Sequence, residues 1–202
     1  MPNTPERILL IAGDVSFRGA SILALRLAKG LLERDIDIVM LCTKIGHIDQ
    51  SLLKGIDILE LPGYTQPIWG RVVRQSVLKN LDGRPPDMIH LLSLDMLPQA
   101  IWLGTQLSCP VVLSVNDHAD ASRLLLPSSA QCCRMLVCVS ESVQAALPHP
   151  RNLNNIEQRV IHPGIPLLPE SKSFSILDSD REPVIGMAGP MEILKGCLLY
   201  TS

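Results

Sequence analysis

Short apolar runs alternate along the sequence with segments of helical periodicity, and this alternation limits the possible folds more than any other feature. Residues 7–12 form an apolar run that stops at Gly13, as a buried parallel strand stops at its carboxyl end. Residues 19–34 place apolar side chains at helical spacing, and residues 36–42 are apolar again. Together these segments predict a β-α-β unit.

The same alternation continues as far as residue 161. Further strands are predicted at 56–61, 87–92, 110–115, 135–139 and 160–161, and helices at 68–81, at 94–107, just before Pro127 and at 141–147. Strands that alternate with helices in this way favour an open parallel sheet covered on both faces. The sequence therefore predicts a doubly wound, Rossmann-like α/β fold.

The composition changes after this series and predicts a domain boundary. Residues 1–165 are expected to form the Rossmann-like domain, and residues 166–182, rich in Pro, Ser and Asp, to form a linker. Residues 183–189 begin a new apolar strand that ends in glycine. The segment 183–202 is expected to be only the start of a second domain, because about 20 residues cannot close one.

The overall composition excludes several classes of protein. Hydrophobic residues make up 47% of the chain and charged residues 19%, which indicates an ordered globular protein. The net charge is −2 and the basic residues are scattered, so a nucleic acid is not expected as a partner. No apolar stretch approaches the roughly 18 residues of a membrane span, and a signal-peptide pattern is missing. We therefore expect a cytoplasmic protein without a transmembrane segment.

The six cysteines show neither Cys-x-x-Cys spacing nor a paired-histidine pattern. This indicates neither a zinc site nor a disulfide framework, and no other metal site is predicted. We expect buried, reduced thiols. The alternative is a reactive thiol at the adjacent Cys132 and Cys133, which no neighbouring sequence feature supports.

Ligands of open α/β sheets bind outside the carboxyl ends of the strands, so the turns that follow the predicted strands are the candidate sites. The first turn, G-D-V-S-F-R-G at residues 13–19, departs from the G-x-G-x-x-G pattern, which disfavours a nicotinamide or flavin enzyme. Gly13 and Gly19 would leave room beside the backbone, and amides at the helix start suit an anion or a hydroxyl group. The alternative is that these glycines only shape the turn.

Several motifs occur in the order seen in a known family, across nearly the whole chain. The sequence resembles the family 4 retaining glycosyltransferases with the GT-B fold, in which an amino-terminal domain holds the acceptor and a carboxyl-terminal domain holds the nucleotide-sugar. The motifs are R-I-L-L-I-A-G, L-A-K-G-L-L-E-R-D-I-D-I-V-M-L-C-T, P-V-V-L-S-V-N-D-H-A-D, L-V-C-V-S-E-S-V, R-V-I-H-P-G-I and V-I-G-M-A-G-P-M-E-I-L-K-G.

The resemblance implies roles for the first and third of these motifs. It places Gly13 in the floor of the cleft, with substrate contacts at Asp14, Ser16, Arg18 and Gly19. Where the family often has a His-Asp pair, this chain has Asn116-Asp117, followed by His118. Asn116 is implied as a substrate contact, and Asp117 and His118 as catalytic residues. The alternative is that Asp117 or His118 caps the next helix.

The later motifs add a second group of implied contacts. Ser140 and Glu141 match a strand-end pair that faces the cleft, although Ser140 is equally suited to an N-cap. His162 stands in a turn where the family has other residues. Gly189, Lys195 and Gly196 resemble the loop that meets the donor diphosphate, whose charge an ammonium group can neutralise, while Pro190 stands where Arg is frequent.

The function implied by the resemblance is transfer of a sugar from a nucleotide-diphosphate sugar to a hydroxyl acceptor with retention, in cell-envelope or glycan biosynthesis. The donor is a substrate, so no separate cofactor is expected, and peripheral contact with a membrane remains compatible with this reading. The alternatives are a non-catalytic Rossmann-like binding module and a GT-B nucleotide-sugar epimerase. The chain is expected to be an inactive fragment, and residues 197–202 resemble translated adaptor sequence, which raises the hypothesis that they are not native.

Overall fold

The computed structural model describes residues 6–16, 19–63, 69–148, 153 and 156–164, which build a parallel β-sheet flanked by helices. All of these residues except Gly164 belong to one compact unit, Met1–Pro163. The predicted linker at 166–182 and the predicted second domain at 183–202 lie outside the described residues, so these boundaries stay predictions.

Nine strands and five α-helices occur in the described part of the chain. The strands are β1 (Arg7–Ile11), β2 (Asp14–Val15), β3 (Asp37–Cys42), β4 (Lys44–Ile45), β5 (Asp57–Glu60), β6 (Met88–Leu91), β7 (Val111–Val115), β8 (Cys133–Cys138) and β9 (Glu157–Val160). The helices are α1 (Gly19–Leu32), α2 (Trp69–Asp82), α3 (Leu97–Gln106), α4 (His118–Arg123) and α5 (Glu141–Ala145), with 3₁₀ turns at Gln50–Leu52 and Leu94–Met96.

Seven of the strands form one sheet in the order β5-β3-β1-β6-β7-β8-β9, and every neighbouring pair is parallel. The chain adds strands on one side of β1 as far as β5 and then crosses over to β6 and continues outward to β9. This is a doubly wound, Rossmann-like sheet, so the predicted fold class is confirmed. The predicted strand at 160–161 lies instead at Glu157–Val160, because this edge strand is mostly exposed and polar and lacks an apolar run.

The central strands are apolar on both sides because both faces of the sheet are covered. Leu9 and Ile11 point into one core with residues of α2 to α5, while Ile8 and Leu10 point into the other core with α1. These four side chains are 0–2% exposed. At roughly 1.5–3 kcal/mol for each buried aliphatic side chain, β1 alone contributes a substantial share of the hydrophobic stabilisation.

The change in winding direction creates a topological switch point between β1 and β6, at the carboxyl ends of the strands. Beyond the main sheet, the chain after β1 and the chain after β3 pair again as the two-stranded parallel sheet β2–β4. The amide of Thr43 donates to the carbonyl of Gly13 at 3.1 Å and joins the two sheets. This extension holds the first strand-to-helix turn above the end of the sheet.

Candidate active site at the topological switch point

Gly13 and Ser93 meet where the sheet changes direction. Ile11 and Leu91 are register partners in β1 and β6, so the residues that follow these strands emerge side by side. A Cβ atom added to Gly13 would lie 2.9 Å from Ser93 Oγ and 3.2 Å from Ser93 Cβ. The space expected beside Gly13 is therefore filled by Ser93, whereas Gly19 has nothing within 4 Å of its added Cβ. Glycine at position 13 allows the close approach of two strand ends.

Asn116 lies one strand further along, at the end of β7. Its Nδ2 donates to the carbonyl of Leu92 at 3.0 Å, which fixes the orientation of the amide. Its Oδ1 is buried and accepts no hydrogen bond from the described residues. An unsatisfied buried acceptor costs about 1–3 kcal/mol, and such a group calls for a donor from a ligand or an ordered water.

Ser93 brings a second free polar group to this crevice. It precedes the 3₁₀ turn Leu94–Met96, but its side chain makes no capping hydrogen bond there. Since β6 lies between β1 and β7, Ser93 stands between Gly13 and Asn116 along the edge of the sheet. One hydroxyl group and one amide oxygen thus mark the switch point as a place that can bind hydroxyl groups of a ligand.

The first turn is held by hydrogen bonds of Asp14 and Ser16. Asp14 Oδ1 accepts from Thr43 Oγ1 at 2.6 Å, and its carbonyl accepts from Ser21 Oγ at 3.0 Å. The amide of Ser16 donates to the same Ser21 hydroxyl at 3.2 Å. The buried Ser21 therefore ties the turn to the start of α1, and the Asp14 carboxylate stays exposed beside the crevice.

Carboxylates accumulate on the β5 side of the crevice. Glu60 Oε1 accepts from the amide of Ile45 at 3.1 Å, which places Glu60 next to the small sheet β2–β4. Burial, together with the negative charges of Glu60 and Asp14, raises the pKa of the Cys42 thiol to about 12. Cys42 is therefore an inert core thiol. Because the carboxylates of Asp14 and Glu60 repel anions, this part of the site suits hydroxyl groups better.

The residues after β7 adopt the capping arrangement. The Asp117 side chain accepts from the amide of Asp120 at 2.8 Å and forms the N-cap of α4, with His118 as the first residue of the helix. Burial raises the pKa of Asp120, and the neighbouring charge of Asp117 adds to this effect. His118 is exposed. The structure thus contains the N-cap that was the alternative for Asp117. The catalytic roles of Asp117 and His118 stay predictions.

The ends of β8 and β9 bring a second group of predicted residues together. Ser140 Oγ accepts from the amide of Val143 at 3.3 Å and caps α5. His162 Nε2 lies 3.5 Å from Glu141 Oε1, and His162 Nδ1 donates to the carbonyl of Val139 at 3.1 Å. Glu141 and His162 therefore lie next to each other, at the same edge of the sheet as the crevice.

The predicted site residues thus fall into two groups along one edge. The switch-point group contains Gly13, Asp14, Ser16, Gly19 and Asn116, with Asp117 and His118 following it. The second group contains Ser140 and Glu141, and His162, which was not among the predicted site residues, lies beside them. Arg18, Gly189, Lys195 and Gly196 lie outside the described residues.

Sequence reasoning missed three residues of the site: Ser93, Thr43 and Glu60. Each of them stands at or just past the end of a predicted strand, so the strand-end rule that selected Gly13 and Asn116 could have found them.

The described residues contain neither a metal-binding cluster nor a membrane-spanning helix. No group of three or more His, Cys, Asp or Glu side chains there is arranged to hold a metal ion. No helix in the same ranges has the length and apolar character needed to cross a membrane.

The fold defines a doubly wound α/β protein, and its polar strand ends form a candidate ligand site at the topological switch point. The family model described as Glycosyltransferase Family 4 matches residues 17–167, which is more than half of the chain. The chain belongs to this family. No curated protein matches its sequence.

Solved structures of glycosyltransferases share the fold. The Anabaena protein Alr3699/HepE in complex with UDP-glucose superposes with a TM-score of 0.55 at 16% identity over 79% of this chain and 44% of its own. MurG of Acinetobacter baumannii gives a TM-score of 0.52 at 13% identity over 80% of this chain and 47% of its own. The chain spans less than half the length of these structures, and the likeness shows a common GT-B-type fold.

Proposed function

We propose that this chain forms the acceptor-side part of a glycosyltransferase that transfers a sugar from a nucleotide-diphosphate sugar to a hydroxyl acceptor with retention. The observation that carries this proposal is the buried, unsatisfied Oδ1 of Asn116 at the switch point of a family 4 chain. The Anabaena structure of similar fold was solved with UDP-glucose, which supports a nucleotide-sugar as the donor.

The side chains around the crevice suit recognition of a sugar. Because Nδ2 of Asn116 is used by the Leu92 carbonyl, Oδ1 can only accept, and a sugar hydroxyl supplies the missing donor. The exposed Asp14 carboxylate accepts a further hydroxyl, and its bond from Thr43 keeps it in place. Both groups are positioned before the substrate arrives, which reduces the entropic cost of orienting it.

The chemistry in this proposal rests on positioning and on stabilising the diphosphate that leaves. Lys195 with Gly189 and Gly196 is proposed to meet the diphosphate, because an ammonium group neutralises the charge that develops there. Asp117 and His118 are proposed to act at the reacting sugar, and Ser140 and Glu141 at the acceptor. No separate cofactor enters this scheme.

Replacement of Asn116 tests the proposal, in a protein that also contains the predicted second domain in full. Asn116→Ala removes one hydrogen bond to a neutral hydroxyl group, so kcat/KM for the best nucleotide-sugar should fall about twofold to tenfold. Asn80→Ala is the matched control, because Asn80 Nδ2 also donates to a backbone carbonyl, that of Ser76 at 3.0 Å, on an exposed helix.

The assay measures transfer from a panel of nucleotide-sugars to hydroxyl acceptors, and NMR reads the anomer formed. Retained configuration and a loss confined to Asn116→Ala support the proposal. Inverted product refutes the retaining mechanism, and equal kinetics of Asn116→Ala and wild type refute the site.

The 202-residue chain alone is proposed to lack turnover. It spans under half the length of the similar GT-B structures, and the residues proposed for the diphosphate lie at its end. Sugar transfer by this chain in the same assay would overturn that part of the proposal.

A further inference from the structure

A separate cleft lies at the opposite end of the sheet, where β7 and β8 begin. Its volume is about 520 Å³, within the range of roughly 300–1,000 Å³ that is usual for small-molecule sites. It is lined by Gly104, Thr105, Ser108, Cys109, Pro110, Ser129, Gln131, Cys132 and Arg134. Because it faces away from the switch point, its role does not depend on the proposed transferase activity.

A β-bulge places Arg134 at this cleft. Val111 pairs with Cys133, but the next residue, Val112, pairs with Met135, so Arg134 is the extra residue of β8. Bulges are rare in parallel pairs, and they redirect the side chain of the extra residue. The guanidinium is exposed and forms no ion pair or hydrogen bond with the described residues. None of the lining residues is acidic, and Arg134 is the one charged residue among them.

Cys132 presents a thiol to the same cleft. A Cβ atom added to Gly104 would lie 3.1 Å from Cys132 Sγ and 2.5 Å from Val111 Cγ2, so glycine is needed for the thiol to sit there. Cys132 is half-buried, whereas the other cysteines in the described ranges are buried. It is therefore the least buried of these residues, and its thiol makes a weak bond from Sγ to the Ile101 carbonyl at 3.6 Å and a second one with the Cys133 side chain.

The backbone beside the cleft is strained. Ser108 has a φ of 51°, in the left-handed region that residues other than glycine seldom occupy. Such strain costs on the order of a hydrogen bond and is concentrated at functional sites. The strained turn directs the chain from the end of α3 into Cys109 and Pro110, which form one wall of the cleft.

The two neighbouring cysteines are poor nucleophiles. Burial and, to a smaller extent, the neighbouring Cys132 raise the pKa of Cys133 to about 12. Burial and, to a smaller extent, the charge of Asp87 raise the pKa of Cys109 to about 11. At neutral pH neither thiol supplies enough thiolate to attack a disulfide formed at Cys132.

We propose that Cys132 is a modification site that forms a stable mixed disulfide with a small anionic disulfide of the glutathione class, anchored by Arg134. The Cys132 thiolate attacks one sulfur of the small disulfide, the bond between its two sulfurs breaks, and the second half leaves as a thiolate. The leaving sulfur returns from the disulfide to the thiol level while the Cys132 sulfur goes from the thiol to the disulfide level, so one S–S bond breaks, one forms and no other oxidant is needed. The adduct persists because Cys109 and Cys133 do not resolve it.

The test compares two small disulfides of opposite charge on the chain as it stands. Glutathione disulfide carries carboxylates and cystamine carries two ammonium groups, and intact-mass and peptide mass spectrometry locate the adduct. Among the cysteines of the described residues, we expect glutathione disulfide to modify Cys132 first, and we expect Arg134→Gln to slow this reaction about threefold to fivefold. The same substitution should leave the reaction with cystamine equal or faster, because a repulsive charge is removed.

Two variants keep the test decisive. Arg159→Gln removes an exposed arginine of the neighbouring strand, which pairs with Glu157, and it should leave both rates unchanged. Arg134→Gln keeps every cysteine, so the comparison does not depend on the folding of a cysteine variant. The proposal is overturned if Cys42, Cys109, Cys133 or Cys138 reacts before Cys132, or if Arg134→Gln and Arg159→Gln change the glutathione reaction equally.

Discussion

A methyl group added at position 13 tests the structural basis of the switch point directly. In Gly13→Ala the new Cβ would lie 2.9 Å from Ser93 Oγ and 3.2 Å from Ser93 Cβ, both closer than the roughly 3.5–4.0 Å of ordinary contact. Rotation of Ser93 relieves the contact with Oγ, but Cβ is fixed to the backbone. Overpacking of this kind costs about 1–3 kcal/mol, so we expect a free energy of unfolding lower by about 1–2 kcal/mol.

Urea unfolding, monitored by circular dichroism, measures this decrease in the free energy of unfolding. A decrease of that size lowers the midpoint by about 0.5–1 M for an m value of roughly 2 kcal/mol/M, the middle of the usual range. Ser93→Ala removes Oγ and leaves the contact with Cβ, whereas Ser93→Gly removes both atoms. The cost of Gly13→Ala should therefore shrink in the first background and disappear in the second.

Gly19→Ala is the matched control, because nothing lies within 4 Å of its added Cβ and alanine favours the first turn of a helix. It should leave the midpoint unchanged or raise it. An unchanged midpoint in Gly13→Ala would refute the reasoning, as would a loss that stays the same size when Ser93 is replaced by glycine.

Two further predictions concern pH and capping. Burial lowers the pKa of His90 to about 4, so unfolding takes up a proton below the ordinary value of 6.5, and the free energy of unfolding should fall by up to about 3 kcal/mol between pH 6.5 and 4. Urea titrations should show a shallower fall in His90→Gln than in the exposed control His47→Gln, and equal slopes would contradict the assignment. Asp117→Ala removes the N-cap of α4 and should lower the free energy of unfolding by about 1 kcal/mol, as measured by thermal unfolding. Asp117→Asn should keep most of this stability, because asparagine also caps helices. An equal loss in both variants would show that the cap is not the cause.

The regular elements could be predicted because they depend on local patterns. The apolar run at 7–12 corresponds to β1, and the helical spacing at 19–34 corresponds to α1. The edge strand β9 was misplaced by a few residues, since Glu157, Gln158 and Arg159 face solvent and carry no apolar signal. Strands β2 and β4 have two residues each, which is too short for a period of two to appear.

The candidate site could be predicted only in part, because sequence shows which residues end a strand and not which strands are neighbours. Asn116 was found from its motif, but its bond to Leu92 depends on β6 and β7 lying side by side. Ser93 became visible once β1 and β6 were known to flank the switch point. Arg134 required the register of β7 against β8, since a bulge leaves no trace in composition.

The central position of β1 has a consequence for how the chain folds during synthesis. The Asp87 side chain accepts from the amides of Glu6 and Arg7, 81 and 80 residues earlier, so one side of β1 stays open until β6 has been made. At roughly 5–20 residues per second the ribosome needs about 4–16 s to cover that distance. During this time β1, whose last four residues are buried in the finished fold, lacks one of its neighbours. The order of synthesis thus leaves β1 accessible to a chaperone or an aggregating neighbour until β6 has been made.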